Sequence, residues 1–254
     1  MKNKRLIITI GILVLATAIF YYKAKRDHVP MSQDILLVGT NAEFPPFTFI
    51  NDENKIVGFD IDIATEVAKN LGKKMEIIDR SFDMLIPEAQ NGSIHIIAAG
   101  MTATQERAQQ IIFTKPYLKG EPLVVVTLNK NPIRSIQDLN GKEVVVNEGY
   151  TADSYASALP EVMVKRLPAP AESVMDLMGE KSFAYISAYN AVKPYIEKFG
   201  TDKFNIFTVP NTSENTAMGI SKMYPELLQQ IQPILDQMEL DGTIETLKKK
   251  WKIQ

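Results

Sequence analysis

The chain has 254 residues, with 28 lysines and arginines against 30 aspartates and glutamates, which is enough length for one globular unit with two lobes. It contains no cysteine, which excludes disulfide bonds and thiolate chemistry. Its two histidines, His28 and His95, lack the spacing of a metal site or a catalytic triad. Residues 1–30 hold six basic residues and one acidic residue. The remaining body, with 22 basic and 29 acidic residues, therefore weakly favours cationic ligands and disfavours nucleic acid.

The first 30 residues have the pattern of an export signal. Basic residues at the N-terminus precede an apolar run over residues 6–22, which is long for a secretory signal and short for a membrane span. Ala16 and Ala18 form an A-x-A cleavage pattern. Cleavage and retention as an N-terminal membrane anchor both stay open, and in either case we expect the body to be periplasmic or extracytoplasmic.

From residue 35 onward, strand and helix patterns alternate, which predicts parallel sheets with right-handed crossovers. Residues 35–38 form the first strand, and the loop after it holds Asn41, Glu43 and Phe44 at the carboxyl edge of the sheet, where ligands of α/β folds usually bind. A helix opens at residue 58 and ends at Gly72. Asp60 and Asp62 lie in its first turn, where negatively charged residues are common because they are favourable to the helix dipole. We therefore assign them no catalytic role.

The next strand covers residues 75–78 and delivers Phe82 to the same edge of the sheet. A helix over residues 84–90 leads into a buried strand over residues 94–99, which Gly100 breaks. Thr102 or Thr104 is the N-cap of the following helix. Arg107 in its first turn opposes the helix dipole, which is unfavourable unless an anion shares the site.

The second half repeats the pattern, with short strands crossing between lobes at residues 123–127 and 216–220. After a strand over residues 143–146, Asn147 opens a loop into a helix capped by Thr151. The lysine run 248–250 lies near a helix C-terminus, where positive charge is favourable to the helix dipole. This indicates a structural role rather than a nucleic-acid site. Further elements are predicted at residues 135–139, 162–167, 173–178, 183–186, 189–199, 205–209, 225–240 and 243–251.

Three stretches carry a family resemblance: GFDIDIATEVAKNLG, FDMLIPEAQNGSIHIIAAGMTATQERAQQIIFTKPY and DGTIETLKKKWKIQ. They resemble the solute-binding proteins of polar amino-acid ABC transporters (bacterial solute-binding protein family 3), and the similarity runs from about residue 35 to residue 251. The resemblance implies a type II periplasmic-binding-protein-like fold, in which two α/β lobes joined by two hinge strands hold the ligand in the cleft between them. We place lobe 1 at residues 31–121 and 215–254, and lobe 2 at residues 122–214.

The resemblance also implies the residues of the site. Arg107 would be the two-pronged donor for the ligand α-carboxylate, joined by Thr151 on closure, while Phe44 and Phe82 would form aromatic walls for the side chain. The full set of expected ligand-binding residues is Asn41, Glu43, Phe44, Phe82, Ala99, Gly100, Thr102, Arg107, Asn147, Thr151 and Ser187.

One position departs from the family pattern. Where the family supplies an aspartate for the ligand α-ammonium, this chain has Ser187, whose hydroxyl accepts a hydrogen bond but adds no charge. The amino group is then bound more weakly, or Glu148 or Glu43 compensates.

We therefore expect a monomeric binding protein without cofactor or metal that presents one amino acid to an ABC permease. We expect a basic ligand, arginine first, because the body is acidic and because TNAEFPPFTF is similar to the same segment of arginine-binding members. Glu43 in this segment faces either the ligand, which would favour a basic one, or solvent. Phe44 and Phe82 would stack on the guanidinium of arginine. Two alternatives on this fold stay open: a cyclohexadienyl-dehydratase-like enzyme with Glu148 as general acid, and a ligand-sensing ectodomain acting through a separate partner.

Overall fold

A computed structural model describes residues 34–253 of the chain. The export signal predicted over residues 1–30 lies outside them. Among the helices that are described, none is long and apolar enough to span a membrane.

The described chain alternates strands and helices as the apolar pattern predicts. The strands are β1 (Ile35–Thr40), β2 (Glu43–Phe44), β3 (Thr48–Ile50), β4 (Ile56–Val57), β5 (Lys74–Asp79), β6 (Ile96–Ile97), β7 (Ile112–Phe113), β8 (Leu118–Glu121), β9 (Leu123–Leu128), β10 (Glu143–Asn147), β11 (Met163–Leu167), β12 (Ala184–Ala188), β13 (Phe204–Thr208), β14 (Glu214–Thr216) and β15 (Gly219–Ile220). The α-helices are α1 (Phe59–Asn70), α2 (Leu85–Gln90), α3 (Gln105–Ala108), α4 (Thr151–Ser157), α5 (Pro170–Met178), α6 (Tyr189–Phe199), α7 (Glu226–Leu240) and α8 (Thr243–Trp251). Short 3₁₀ turns cover Phe82–Met84, Ile136–Leu139 and Thr201–Lys203.

The first sheet has the strand order β5-β1-β6-β15-β7. β1 runs parallel to β5 and β6, while β15 runs antiparallel to β6 and β7. Strand β6 is shorter than the predicted span of residues 94–99, but that whole span is buried. Helices α1, α7 and α8 pack on one another beside this sheet.

The second sheet has the strand order β11-β10-β12-β9-β13, with β10 parallel to β11 and β12 and β9 antiparallel to its neighbours. Alternate residues of its strands fill two apolar layers: Val125, Val146 and Ile186 lie on one face, and Val126 and Tyr185 on the other. The two sheets, each with its helices, are the two α/β lobes of a type II periplasmic-binding-protein-like fold.

The connections between the lobes differ from the two strands that the sequence predicted, of which only Thr216 lies on a connection, in β14. Residues 123–127 lie inside β9, a buried strand between β12 and β13, because an apolar, β-branched run satisfies a sheet interior better than an exposed crossing. Of residues 216–220, Gly219 and Ile220 belong to the first sheet. The chain crosses instead at β8 and β14, which pair antiparallel with Glu214 opposite Glu121. The predicted lobe boundaries, 121/122 and 214/215, fall on this pair and stay a prediction.

N-cap residues were predicted for two helices. Thr104, the second of the two alternatives, is the N-cap of α3, and its hydroxyl accepts a hydrogen bond from the Arg107 backbone N–H. The prediction of Thr151 as a cap is wrong: Tyr150 occupies the N-cap of α4 and Thr151 is the first helical residue. The Thr151 hydroxyl is thereby turned to another partner, Glu214.

Candidate functional site

A cavity of about 20 Å³, room for about one water molecule, lies between the two lobes beside the β8–β14 pair. Most of its lining comes from the segments after β1, β5, β6 and β10 and from the last residues of β12, at the carboxyl ends of strands where α/β folds place ligands. The lining residues are Phe44, Phe47, Phe82, Gly100, Thr102, Arg107, Glu121, Tyr150, Thr151, Ala152, Ser187, Ala188, Glu214 and Thr216.

Arg107 is the cation of this cavity, and only 9% of its surface is exposed. Its Nη1 donates to the Thr102 carbonyl at 2.8 Å, and its Nη2 donates to the Gly149 carbonyl of the other lobe at 2.9 Å. The guanidinium carbon lies 5.3 Å from the centre of the Phe82 ring. Burial lowers the pKa of Arg107 and the nearby Glu214 opposes this shift, but an arginine remains protonated in proteins. The described hydrogen bonds use two of its five N–H groups, so the guanidinium can still receive an anion.

The loop that carries Gly100 is fixed by a buried carboxylate. Asp60 Oδ2 accepts hydrogen bonds from the Gly100 N–H at 2.5 Å and from the Tyr117 hydroxyl at 3.0 Å. Burial raises the pKa of Asp60 to about 6, despite these hydrogen bonds. Gly100 has φ +62°, and a Cβ there would lie 2.5 Å from Phe44 Cε1, so this position needs glycine.

Two buried glutamates on the crossing strands face the cavity. Glu214 Oε2 accepts hydrogen bonds from the Thr102 and Thr151 hydroxyls, both at 2.5 Å, and so joins a loop of each lobe to β14. Glu121 Oε1 accepts from the backbone N–H of Asn190 at 2.6 Å, in the first turn of α6. Burial raises the pKa of Glu121 to about 7, and the negative charge of Glu214 adds to this, against the hydrogen bond from Asn190.

Sequence reasoning missed both glutamates. Each stands in a short polar connection, KGEP or TSEN, that looks like an exposed turn. These glutamates become buried only when β8 pairs with β14, and the local sequence does not predict that pairing.

Tyr150 contacts both of the aromatic side chains that were expected to hold the ligand side chain. Its ring centre lies 5.2 Å from that of Phe44 and 4.4 Å from that of Phe82, and its hydroxyl is 3.4 Å from Asn41 Oδ1. A guanidinium stacked on both phenylalanines would therefore have to displace the Tyr150 ring.

The structure brings seven of the eleven predicted site residues to the cavity. They are Phe44, Phe82, Gly100, Thr102, Arg107, Thr151 and Ser187.

The other four do not line the cavity. Glu43 is exposed, and Ala99 is fully buried beside Gly100. The Asn41 amide donates to the Arg80 carbonyl at 3.1 Å, and the Asn147 side chain is engaged by Tyr185, Ser173 and Leu167. Glu148, named as a possible general acid, is exposed and also stands outside the lining. The ligand-binding roles of all these residues stay predictions.

Comparisons with known proteins agree with this architecture. A model of the bacterial extracellular solute-binding proteins, family 3, matches residues 36–254. A probable histidine-binding protein of Campylobacter jejuni is 28% identical over 86% of this chain and 85% of its own length. A solved ancestral arginine-binding protein bound to arginine is 34% identical with a TM-score of 0.79, covering 85% of this chain and 97% of that one. An ancestral amino acid-binding protein described as a precursor of cyclohexadienyl dehydratase is 31% identical with a TM-score of 0.79, over 87% of this chain and 96% of that one.

The raised pKa of Glu121 predicts how stability depends on pH. Its pKa is about 7 in the folded protein against an ordinary 4.5, so between these values the folded state binds more protons than the unfolded state. The free energy of unfolding should therefore fall as pH rises through this window, by up to about 3 kcal/mol from this group. Glu121→Gln removes the titration, so denaturant unfolding of this variant from pH 4.5 to 8.5 should show a flatter dependence than the wild type.

Exposed Glu172, replaced by glutamine, is the matched control and should follow the wild-type curve. Parallel curves for wild type and Glu121→Gln would contradict the perturbed titration.

Proposed function

Because this chain belongs to family 3 of the bacterial extracellular solute-binding proteins, whose members bind amino acids for ABC transporters, we propose that it captures a basic amino acid in the interlobe cavity and presents it to a membrane permease. The observation that carries the proposal is the charge content of the cavity, where one buried arginine and two buried glutamates face a shared space. The export segment predicted over residues 1–30 fits an extracytoplasmic role.

The carboxylate end of the ligand is assigned to Arg107. Its planar fork suits two parallel hydrogen bonds to a carboxylate, and burial strengthens such a pair relative to one in water. Because Nη2 already donates to Gly149 O of the second lobe, ligand binding at this guanidinium is coupled to the position of both lobes.

With both glutamates ionised, above the pKa of about 7 of Glu121, the net charge of the cavity favours a cationic ligand. Arg107 supplies one positive charge, and Glu121 and Glu214 when ionised supply two negative charges. A basic amino acid carries the one positive charge that neutralises this set, whereas a zwitterion leaves one buried negative charge or requires a proton on a glutamate. Arginine is the first ligand to test, since one similar solved protein is bound to arginine and Phe82 offers a ring face to a guanidinium.

Replacing Arg107 by alanine should abolish the carboxylate pairing. Removal of one partner of a charge pair in a closed cleft costs about 2 to 5 kcal/mol, so arginine affinity measured by titration calorimetry should fall by roughly 30-fold or more. Arg134→Ala removes an exposed guanidinium outside the cavity and should leave affinity unchanged. Equal affinities of the wild type and Arg107→Ala would refute the assignment, and a wild type that binds none of the common amino acids would refute the proposal itself.

Tyr150 should set the length of side chain that the cavity accepts. Tyr150→Ala opens the space beside Phe44 and Phe82, so the affinity ratio of arginine to alanine should rise several-fold, as expected for one added stacking contact of about 0.5 to 2 kcal/mol. Tyr150→Phe keeps the ring and should keep the wild-type ratio. A ratio that is the same in Tyr150→Ala and wild type would show that the tyrosine does not limit the side chain.

A dehydratase is the second candidate, and Glu121 is the observation that favours it. A buried carboxyl with a pKa of about 7 in a ligand cavity suits a general acid, and one similar ancestral protein is described as a precursor of cyclohexadienyl dehydratase. Under the binding proposal, incubation with prephenate or arogenate releases no carbon dioxide. Release that Glu121→Gln abolishes would establish the enzyme instead.

A further inference from the structure

We propose that Glu121 and Glu214 together form the ammonium subsite of this cavity, with Ser187 as a third acceptor. The ligand group is the primary ammonium of an α-amino acid. The inference deepens the proposed function and rests on it, but its test can fail while that function stands.

The strand pairing fixes the two carboxylates as one unit. Glu121 on β8 and Glu214 on β14 are direct partners across an antiparallel pair, and side chains opposite each other in such a pair project from the same face. Both line the cavity, and only 5% and 8% of their surfaces are exposed. A ligand that enters the cavity therefore meets both carboxylates at once.

Neither carboxylate forms a close ion pair in the described residues, although the charge of Glu214 acts on Arg107. In the part of the chain that the structure describes, no lysine, arginine or histidine forms an ion pair with Glu121 or Glu214 within 4.0 Å. Their hydrogen bonds come from neutral donors, namely the Asn190 backbone and the hydroxyls of Thr102 and Thr151. Two like charges buried side by side are unfavourable, and a cation bound between them removes that cost.

Ser187 independently indicates a missing donor. It is 1% exposed and lines the cavity, and among the described residues its Oγ has no well-formed hydrogen bond, although it lies close enough to the Tyr185 hydroxyl to counteract in part the rise in pKa that burial gives that group. The neighbouring Tyr185 hydroxyl donates instead to Asn147 Oδ1, at 2.6 Å. A buried hydroxyl left without a partner is rare, and a ligand N–H directed at it would satisfy it.

The number of acceptors matches an ammonium group. A primary ammonium presents three N–H donors, and Glu121, Glu214 and Ser187 offer three acceptors on two strands and the end of a third. A metal ion is a poorer match, because the described residues contain no cluster of three possible metal-ligating side chains.

The position relative to Arg107 selects an α-amino acid. Thr102 contacts both charges, since its carbonyl accepts from Arg107 Nη1 and its hydroxyl donates to Glu214. One residue thus separates the guanidinium from the acidic pair, which suits a ligand whose carboxylate and ammonium sit on the same carbon. The chain would in this way replace the charge that it lacks at Ser187.

The test compares ligands with and without the α-ammonium. Arginine and 5-guanidinopentanoate, which is arginine without its α-amino group, are titrated into the wild type, Glu121→Gln, Glu214→Gln and the double variant. We expect each single change to lower the affinity for arginine by roughly tenfold or more and to leave the affinity for 5-guanidinopentanoate nearly unchanged. The double variant should then bind the two ligands about equally. Lysine and 6-aminohexanoate form a second ligand pair with the same expectation.

Adding Ser187→Asp to the double variant tests for rescue. The change returns a carboxylate to the cavity, so it should restore the preference for arginine over 5-guanidinopentanoate. Glutamine keeps an acceptor for the Asn190 and threonine donors, and unliganded melting curves check that each variant folds. Should the double variant not fold, Glu121→Gln alone carries the comparison.

If the variants lose the same affinity for arginine and for 5-guanidinopentanoate, the proposed subsite is wrong. The glutamates would then act on the ligand side chain or on the stability of the fold. Unchanged arginine affinity in the variants would overturn it as well, while loss of binding in Arg107→Ala would keep the proposed function. If the wild type binds neither arginine nor lysine nor any other common amino acid, the subsite and the proposed function fail together.

Discussion

The pairing of β8 with β14 is the constraint on which the site depends. It is where the chain crosses between the two sheets, and it holds Glu121 opposite Glu214 at the floor of the cavity. Through Glu214 the same pair reaches Thr102 of one lobe and Thr151 of the other. The crossing strands therefore serve both as a connection and as part of the cavity lining, so a change in their pairing would alter lobe geometry and cavity charge together.

Arg107 is placed by a different kind of constraint, which is local. Gly100 ends the strand β6, Thr104 caps the helix α3, and the arginine follows in the first helical turn. These three features lie within fifteen residues of one another in the sequence, so the local pattern is enough to predict the elements that carry them. That is why the strand, the break and the alternative N-caps could be predicted from the chain alone, along with the order of strands and helices around them. The place of Arg107 in the site came from the family resemblance.

Features that depend on distant pairing could not be predicted in this way. The burial of Glu121 requires Glu214 on a strand far along the chain. The apolar, β-branched run at residues 123–127 suits a buried strand, but its place between β12 and β13 depends on strands far along the chain. Tyr150 likewise depends on how the loop after β10 meets Phe44 and Phe82 from the other lobe. Glu43, for which ligand and solvent were both open, is exposed.

The central claim is that the cavity binds an α-amino acid with its carboxylate at Arg107 and its ammonium at the glutamate pair. A crystal structure of the protein grown with arginine tests it most directly. The account predicts carboxylate oxygens within hydrogen-bonding distance of the Arg107 guanidinium and the α-nitrogen within ion-pair distance of both Glu121 and Glu214. An arginine bound in the opposite sense, with its α-nitrogen away from both glutamates and its carboxylate away from Arg107, would contradict it.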